Sequence, residues 1–306
     1  MPIFLSSIVA ALLCIRGTHA VGTAFGYASG TTGGGSAAAA VPTSTSQLVS
    51  WLGDSTARTI LLDKIFDFTD TEGSTTGTAC APWTCTPNPQ LAINQNSWCD
   101  NYYPSATKIQ NIGRQMIVTG YGSAQKVTIS DNVFEGSGTY SATCNGRHYW
   151  ALYFTGAADT ITFARNYIYM TSGGGPKIGG TSGYTQLVHM YNNYYVSVAG
   201  HALDAGTGAK VIMEGNYFNT VTTPSVSGTA GAVYAAIDSS TASTCSSYLG
   251  RSCYANTLLS SGGLSETDTS ALSAFSSVSA VRSASIMAAS SVSAYVQANA
   301  GLGIVN

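Results

Sequence analysis

A unit that repeats four times between residues 125 and 221 constrains this chain more than any other feature. Val127-x-Ile129-x-x-Asn132-x-Phe134 recurs as Ile161-x-Phe163-x-x-Asn166-x-Ile168. It recurs again as Leu187-x-His189-x-x-Asn192-x-Tyr194 and as Val211-x-Met213-x-x-Asn216-x-Phe218. The asparagines lie 34, 26 and 24 residues apart. Two mostly apolar residues at period 2, a bend, an asparagine and another short strand mark one coil of a parallel β-helix. Each strand stacks on its counterpart in the next coil, and asparagine, which tolerates a left-handed backbone, bonds up and down the stack. Asn132, Asn166, Asn192 and Asn216 are therefore expected at one bend. Only 8% of the residues are charged and the net charge is −2, which excludes a nucleic-acid partner, since that needs clustered Lys and Arg.

Residues 1–20 read as a signal peptide, with an apolar run from Ile3 to Ile15 followed by Gly17-Thr18-His19-Ala20. The run falls short of the ~18–20 apolar residues that a span needs, so no membrane association is expected. The mature chain, 21–306, is expected to be a single secreted domain and a monomer. Losing Arg16 leaves it 11 basic and 14 acidic side chains. Cys14 also leaves with the peptide. The remaining Cys80, Cys85, Cys99, Cys144, Cys245 and Cys253 are even in number, as suits an oxidising compartment. No C-x2-C pair accompanies them, so three disulfides are expected rather than zinc, with all fifteen pairings open.

Outside the repeats, Thr45 or Ser46 is expected to cap a short helix that carries Leu48, Val49 and Leu52 on one face and ends at Gly53. Thr59 to Phe68 reads as a strand, and Asp70 to Tyr103, with three cysteines and three prolines, as an irregular stapled loop. The Ser- and Ala-rich tail from Thr269 onward keeps apolar residues at mixed spacing, so it is expected to lie along the outside of the β-helix.

Several motifs place this all-β chain near a known family. They include Ala28-Ser29-Gly30-Thr31-Thr32-Gly33-Gly34-Gly35, Phe66-Asp67-Phe68, Cys80-Ala81-Pro82-Trp83 and Trp98-Cys99. Ile112-Gly113-Arg114-Gln115, Tyr140 to Cys144, His148-Tyr149-Trp150, Asn192-Asn193-Tyr194, Gly200-His201-Ala202 and Tyr248 to Arg251 continue the series. In these the chain resembles the fungal pectin lyases of the pectate lyase superfamily, polysaccharide lyase family 1. The resemblance implies a right-handed parallel β-helix and disulfides Cys80–Cys99, Cys85–Cys144 and Cys245–Cys253. It also implies eliminative cleavage of methyl-esterified homogalacturonan, the pectin of plant cell walls, with no cofactor. Two departures accompany it. Family members carry further coils between Tyr103-Pro104 and Ile112-Gly113-Arg114, where this chain has only Ser105 to Asn111. The family's Ser-Gly-Arg-Ser-Pro-Lys motif reads Ser172-Gly173-Gly174-Gly175-Pro176-Lys177, so Gly174 stands where the family keeps its catalytic arginine.

β-Elimination requires a base for the C5 proton and a cation or donor beside the carboxyl group that takes up charge. Arg114 matches the arginine that serves as that cation in the family, and Lys177 matches the lysine beside the base. Asp131, Asp159 and Asp204 are scattered, so no metal site, and calcium in particular, is expected. Trp83, Trp98, Tyr149 and Trp150 match the family's aromatic cleft, where flat rings favour a neutral, methylated sugar chain. His148 and His201 are read as structural, and Gly173-Gly174-Gly175 is no phosphate loop, because Pro176 follows and no helix does. The alternative is a catalytically impaired pectin-binding homologue or a chain read from an incomplete gene.

Overall fold

A computed structural model describes residues 24–31, 34, 36–68, 77–94, 99, 106–109 and 115–301. The signal peptide, Trp98 and Arg114 lie outside the described residues.

Three sheets run side by side along one axis, and nearly all their neighbours are parallel. The first sheet stacks Val127–Ser130, Ala158–Ala164, Thr185–Tyr191, Ala209–Glu214 and Ala232–Ala235. The second stacks Val133–Glu135, Tyr167–Tyr169, the start of Tyr194–Ala205, the start of Tyr217–Ser225 and Thr257–Leu259. The third stacks Ile117–Val118, Leu152–Phe154, Lys177–Ile178 and the end of Tyr194–Ala205. The chain visits the sheets in turn, once per coil, with the right-handed sense that twisted strands impose on parallel crossovers. The fold is a right-handed parallel β-helix. Alternate side chains of the strands fill its interior, among them Phe134, Phe163, Ile168, Met190, Tyr195, Met213 and Phe218.

The asparagine ladder exists, with one rung displaced from the sequence reading. Asn132, Asn166, Asn193, Asn216 and Asn256 form it, each of the first four donating its side-chain amide to the side-chain oxygen of the next at 2.9–3.1 Å. Asn192 is not on the ladder. Its backbone is left-handed, and its side chain bonds Gly215 and Met287 instead. The third repeat therefore runs Val188-x-Met190-x-x-Asn193-x-Tyr195, because Ile161 pairs with Val188 and Ile168 with Tyr195. A one-residue slip exchanges the two faces of a strand. The register is ambiguous in sequence because the outer face here is also largely covered: His189 and Tyr191 are buried and Leu187 is half-buried.

The tail forms helices Thr269–Phe275, Ser279–Arg282 and Ala289–Asn299. Leu272, Phe275 and Val281 pack on Ile212 and Tyr234 of the first sheet. Val292 and Val296 pack on Tyr194 of the second. Beneath the tail, Glu214 is fully buried, receives a two-pronged Arg251 at 2.7 and 2.9 Å, and contacts His189 at 2.8 Å.

Three expectations for the N-terminal third need correction. Helix Thr45–Gly53 is capped by Ser44, whose hydroxyl accepts from the Gln47 N–H, and not by Thr45 or Ser46. Of the strand expected over Thr59 to Phe68, only Thr59–Ile60 pairs, in parallel with Ala39–Ala40. The stretch expected to be irregular contributes Gly77–Trp83 and Gln90–Ile93 to an antiparallel sheet that Ala106–Ile109 completes. Proline and cysteine spacing hid it, because these strands pair with one another rather than in the coils. Disulfides join Cys80 to Cys99, Cys85 to Cys144 and Cys245 to Cys253.

Candidate active site

The tail covers the outer faces of the first and second sheets but not, among the described residues, that of the third. There Val118, Tyr153, Lys177 and Asp204 lie side by side in register and point outward, while Phe154, Ile178 and Ala205 point in. Adjacent parallel strands put Lys177 directly opposite Asp204, and Lys177 Nζ donates to Asp204 Oδ2 at 2.7 Å. The lysine side chain remains 44% exposed. This is the geometry of an ammonium held by a carboxylate. Taking up a substrate proton would need a neutral amine and would forfeit this ion pair.

An aromatic wall rises beside Lys177. Tyr149 and Trp150 occupy the turn ahead of Leu152–Phe154, with ring centroids 5.4 Å apart and nearly perpendicular. Trp83, at the end of its antiparallel strand, meets Trp150 edge-on at 4.9 Å. The Cys85–Cys144 bond, with Cα atoms 5.1 Å apart, ties the chain just past Trp83 to the loop that leads into Tyr149. Hydroxyls brace that loop: Thr143 donates to Ser172 at 2.8 Å, and Ser141 to the Arg147 carbonyl at 2.8 Å. His148 bonds the Trp150 carbonyl at 2.9 Å.

Between the wall and Lys177 lies Gly173-Gly174-Gly175. Gly174 has φ +56°, a conformation that side chains resist, and a Cβ there would sit 3.2 Å from the Tyr149 carbonyl oxygen. Its N–H donates to His201 Nε2 at 3.1 Å. His201 also meets Tyr149 edge-on at 5.5 Å. Burial holds its imidazole below the usual histidine range, with Asp204 acting to raise it and Lys177 to lower it.

Trp83, Tyr149, Trp150, Gly174 and Lys177 are thus brought together, and Arg114 and Trp98 lie outside the described residues. Gln115, the neighbour of Arg114, lines a cleft of about 330 Å³ together with Met116, Glu135, Tyr140 and His148. Two members of the site, Asp204 and His201, do not stand out in the sequence as site residues. Their signal was Gly200-His201-Ala202-Leu203-Asp204 following a ladder asparagine, and it becomes readable only once the coil register is known. The three aspartates sit apart with separate partners: Asp131 with Arg165, Asp159 with Thr119, and Asp204 with Lys177.

The stacked coils define a parallel β-helix protein with an aromatic wall beside the face that the tail leaves open. The family described as Pectate lyase matches residues 86–305, and the chain belongs to it. The chain is 39% identical over 361 positions to the protein named "Probable pectin lyase A" of Aspergillus fumigatus, covering 92% of this chain and 93% of that one. It is 36% identical to "Pectin lyase B" of Emericella nidulans, covering 87% and 90%. A solved Bacillus subtilis pectate lyase superposes with a TM-score of 0.44 at 14% identity, over 94% of this chain and 98% of that one.

Proposed function

We propose that the chain is a secreted, monomeric pectin lyase-type protein that engages methyl-esterified homogalacturonan and turns it over weakly. The observation that carries this is Lys177, presented as an ammonium beside the Trp83–Trp150–Tyr149 wall, with glycine at position 174. The reaction is an elimination. A base removes the C5 proton, the ester carbonyl takes up the electron pair as an enolate, and the C4–O bond breaks as its oxygen is protonated. Tyr149, Trp150, Trp83 and Trp98 would stack on sugar faces. Arg114 would present its planar fork to the ester carbonyl, and Lys177 would stabilise the enolate electrostatically. No side chain at Gly174 supplies the base, and losing a general base costs ~10²–10⁴-fold.

Two observations support coils missing from this chain relative to the family. The alignment to the Aspergillus fumigatus relative runs over 361 positions, at least 55 more than the 306 residues of this chain. Leu52, Leu62 and Ile65 before the join, and Met116 and Val133 after it, stand exposed as though their neighbours were lost. Secretion is supported by six paired cysteines, which suit an oxidising compartment.

Incubating the protein with highly esterified pectin, and following unsaturated product by ultraviolet absorbance, tests turnover, while calorimetric titration tests binding. We expect binding that Lys177→Ala weakens, and turnover at least ~10²-fold below that of a full-length relative, with no rescue by calcium. Brisk cleavage would show the base to be supplied elsewhere. Absence of binding would remove the pectin assignment. Sequencing the transcript across residues 104–112 decides whether the join belongs to the gene.

A further inference from the structure

We propose that His201 is a positioning residue: its unprotonated Nε2 fastens the Gly173–Gly175 turn, and through that turn Lys177, and protonation of the ring unfastens both. A backbone N–H can only donate, so the 3.1 Å contact from Gly174 requires a lone pair on Nε2. The neutral ring then carries its proton on Nδ1. An imidazolium has N–H on both nitrogens, and its Nε2–H would point at the Gly174 N–H.

The turn has little freedom to absorb that clash. Gly173 is wedged between two rings, since a Cβ there would sit 2.8 Å from Tyr149 Cε2 and 2.9 Å from His201 Cε1. On its two flanks the turn is bonded to the coil stack: Leu152 N–H reaches the Gly174 carbonyl at 2.7 Å, and Gly175 N–H reaches the Ala202 carbonyl at 2.9 Å. Lys177 follows two residues later, so movement of Gly174 is passed to the Lys177–Asp204 pair. The groups around the ring are few. Tyr149 lies across one face, Lys177 and Asp204 face it from the preceding coil and its own strand, and Thr223, uncharged, is opposite it in the following coil. Because burial lowers the imidazole below its ordinary 6.5, the bond stands at neutral and mildly acidic pH and is lost as pH falls through that depressed value.

The test follows the imidazole ¹⁵N signals of His201 and the amide of Gly174 in the full chain from about pH 8 to about pH 4. We expect the Nδ1–H tautomer at neutral pH, titration below 6.5, and a Gly174 amide that shifts with the same midpoint. A proton on Nε2 at neutral pH, or a Gly174 amide indifferent to that titration, overturns the proposal. These signals need no substrate, so they stand or fall separately from the pectin assignment. A second arm rests on that assignment and measures affinity for a methyl-esterified oligogalacturonide. Affinity should fall about tenfold across the same midpoint, the worth of about one hydrogen bond. In His201→Gln, whose side-chain oxygen accepts at every pH, that step should vanish. An equal step in the variant would overturn the link from the ring to Lys177.

Discussion

Replacing Asn193 by alanine should cost the fold far more than the same change at Asn132, although both occupy the ladder. Asn193 is fully buried, and its side chain makes four bonds. Its amide donates to the Phe163 carbonyl at 2.8 Å and to Asn216 Oδ1 at 2.9 Å. Its Oδ1 accepts the Asn166 backbone N–H and the Asn166 side-chain amide, both at 3.0 Å. Alanine removes all four and strands the buried Asn166 N–H inside the bend. At ~1–3 kcal/mol for each buried group left unpaired and ~1 for the remaining bonds, the loss is ~3–5 kcal/mol. Asn132 is exposed, and water can replace its bonds to Ser130 and Asn166, so Asn132→Ala should cost ~0.5–1 kcal/mol. At ~2–4 °C per kcal/mol, Asn193→Ala lowers Tm by ~6–20 °C. Urea and thermal denaturation followed by circular dichroism measure both variants. Equal costs for the two, or a loss at Asn193 under ~1 kcal/mol, would refute the claim that the ladder is stabilised by its buried rungs.

Two further outcomes concern charge and the site. Burial acts to raise the Glu214 carboxyl, but hydrogen bonds from Arg251 and His189 outweigh it and hold the group at about 2 against an ordinary 4.5. A depressed carboxyl stabilises above its unfolded value and loses that contribution as pH falls toward 2, so the native chain should lose ~3 kcal/mol between about pH 5 and 2, a loss absent from Glu214→Gln. Denaturation midpoints of both proteins across that range check it, and parallel curves would count against it. Gly174→Arg places a side chain at φ +56° against the Tyr149 carbonyl and should destabilise by ~1–2 kcal/mol without restoring turnover. Brisk pectin cleavage by this variant would show that the arginine alone was wanting.

Much of the fold was legible because its period is written in residues whose neighbours repeat. Ile161, Phe163, Val211 and Met213 announce their inward face, and three of the four expected ladder positions are occupied as read. Asn192 failed for a physical reason. Where His189 is buried and Leu187 half-buried, polarity no longer separates outside from inside, and an Asn-Asn pair offers two registers. The site was legible as residue types and not as neighbours. Lys177 and the aromatics stood out by motif, whereas the partnership of Lys177 with Asp204 depends on coil register across 27 residues. The contact of His201 with Gly174 depends on a turn whose left-handed residue is glycine for reasons that spacing does not express.

The ladder also says how such a protein acquires walls around its binding face. Successive rungs are separated by 34, 27, 23 and 40 residues, yet every rung closes with the same bonds. Closing a loop costs free energy only as the logarithm of its length, so the longest and shortest coils differ by about 0.5 kcal/mol. Extra chain between rungs is therefore nearly free to the stack. The turn that carries Cys144, Tyr149 and Trp150 lies inside such an enlarged coil, between Asn132 and Asn166. Selection can lengthen, shorten or rewrite that excursion while the scaffold beneath keeps its dimensions, which makes the coil the natural unit in which this architecture gains and loses chemistry.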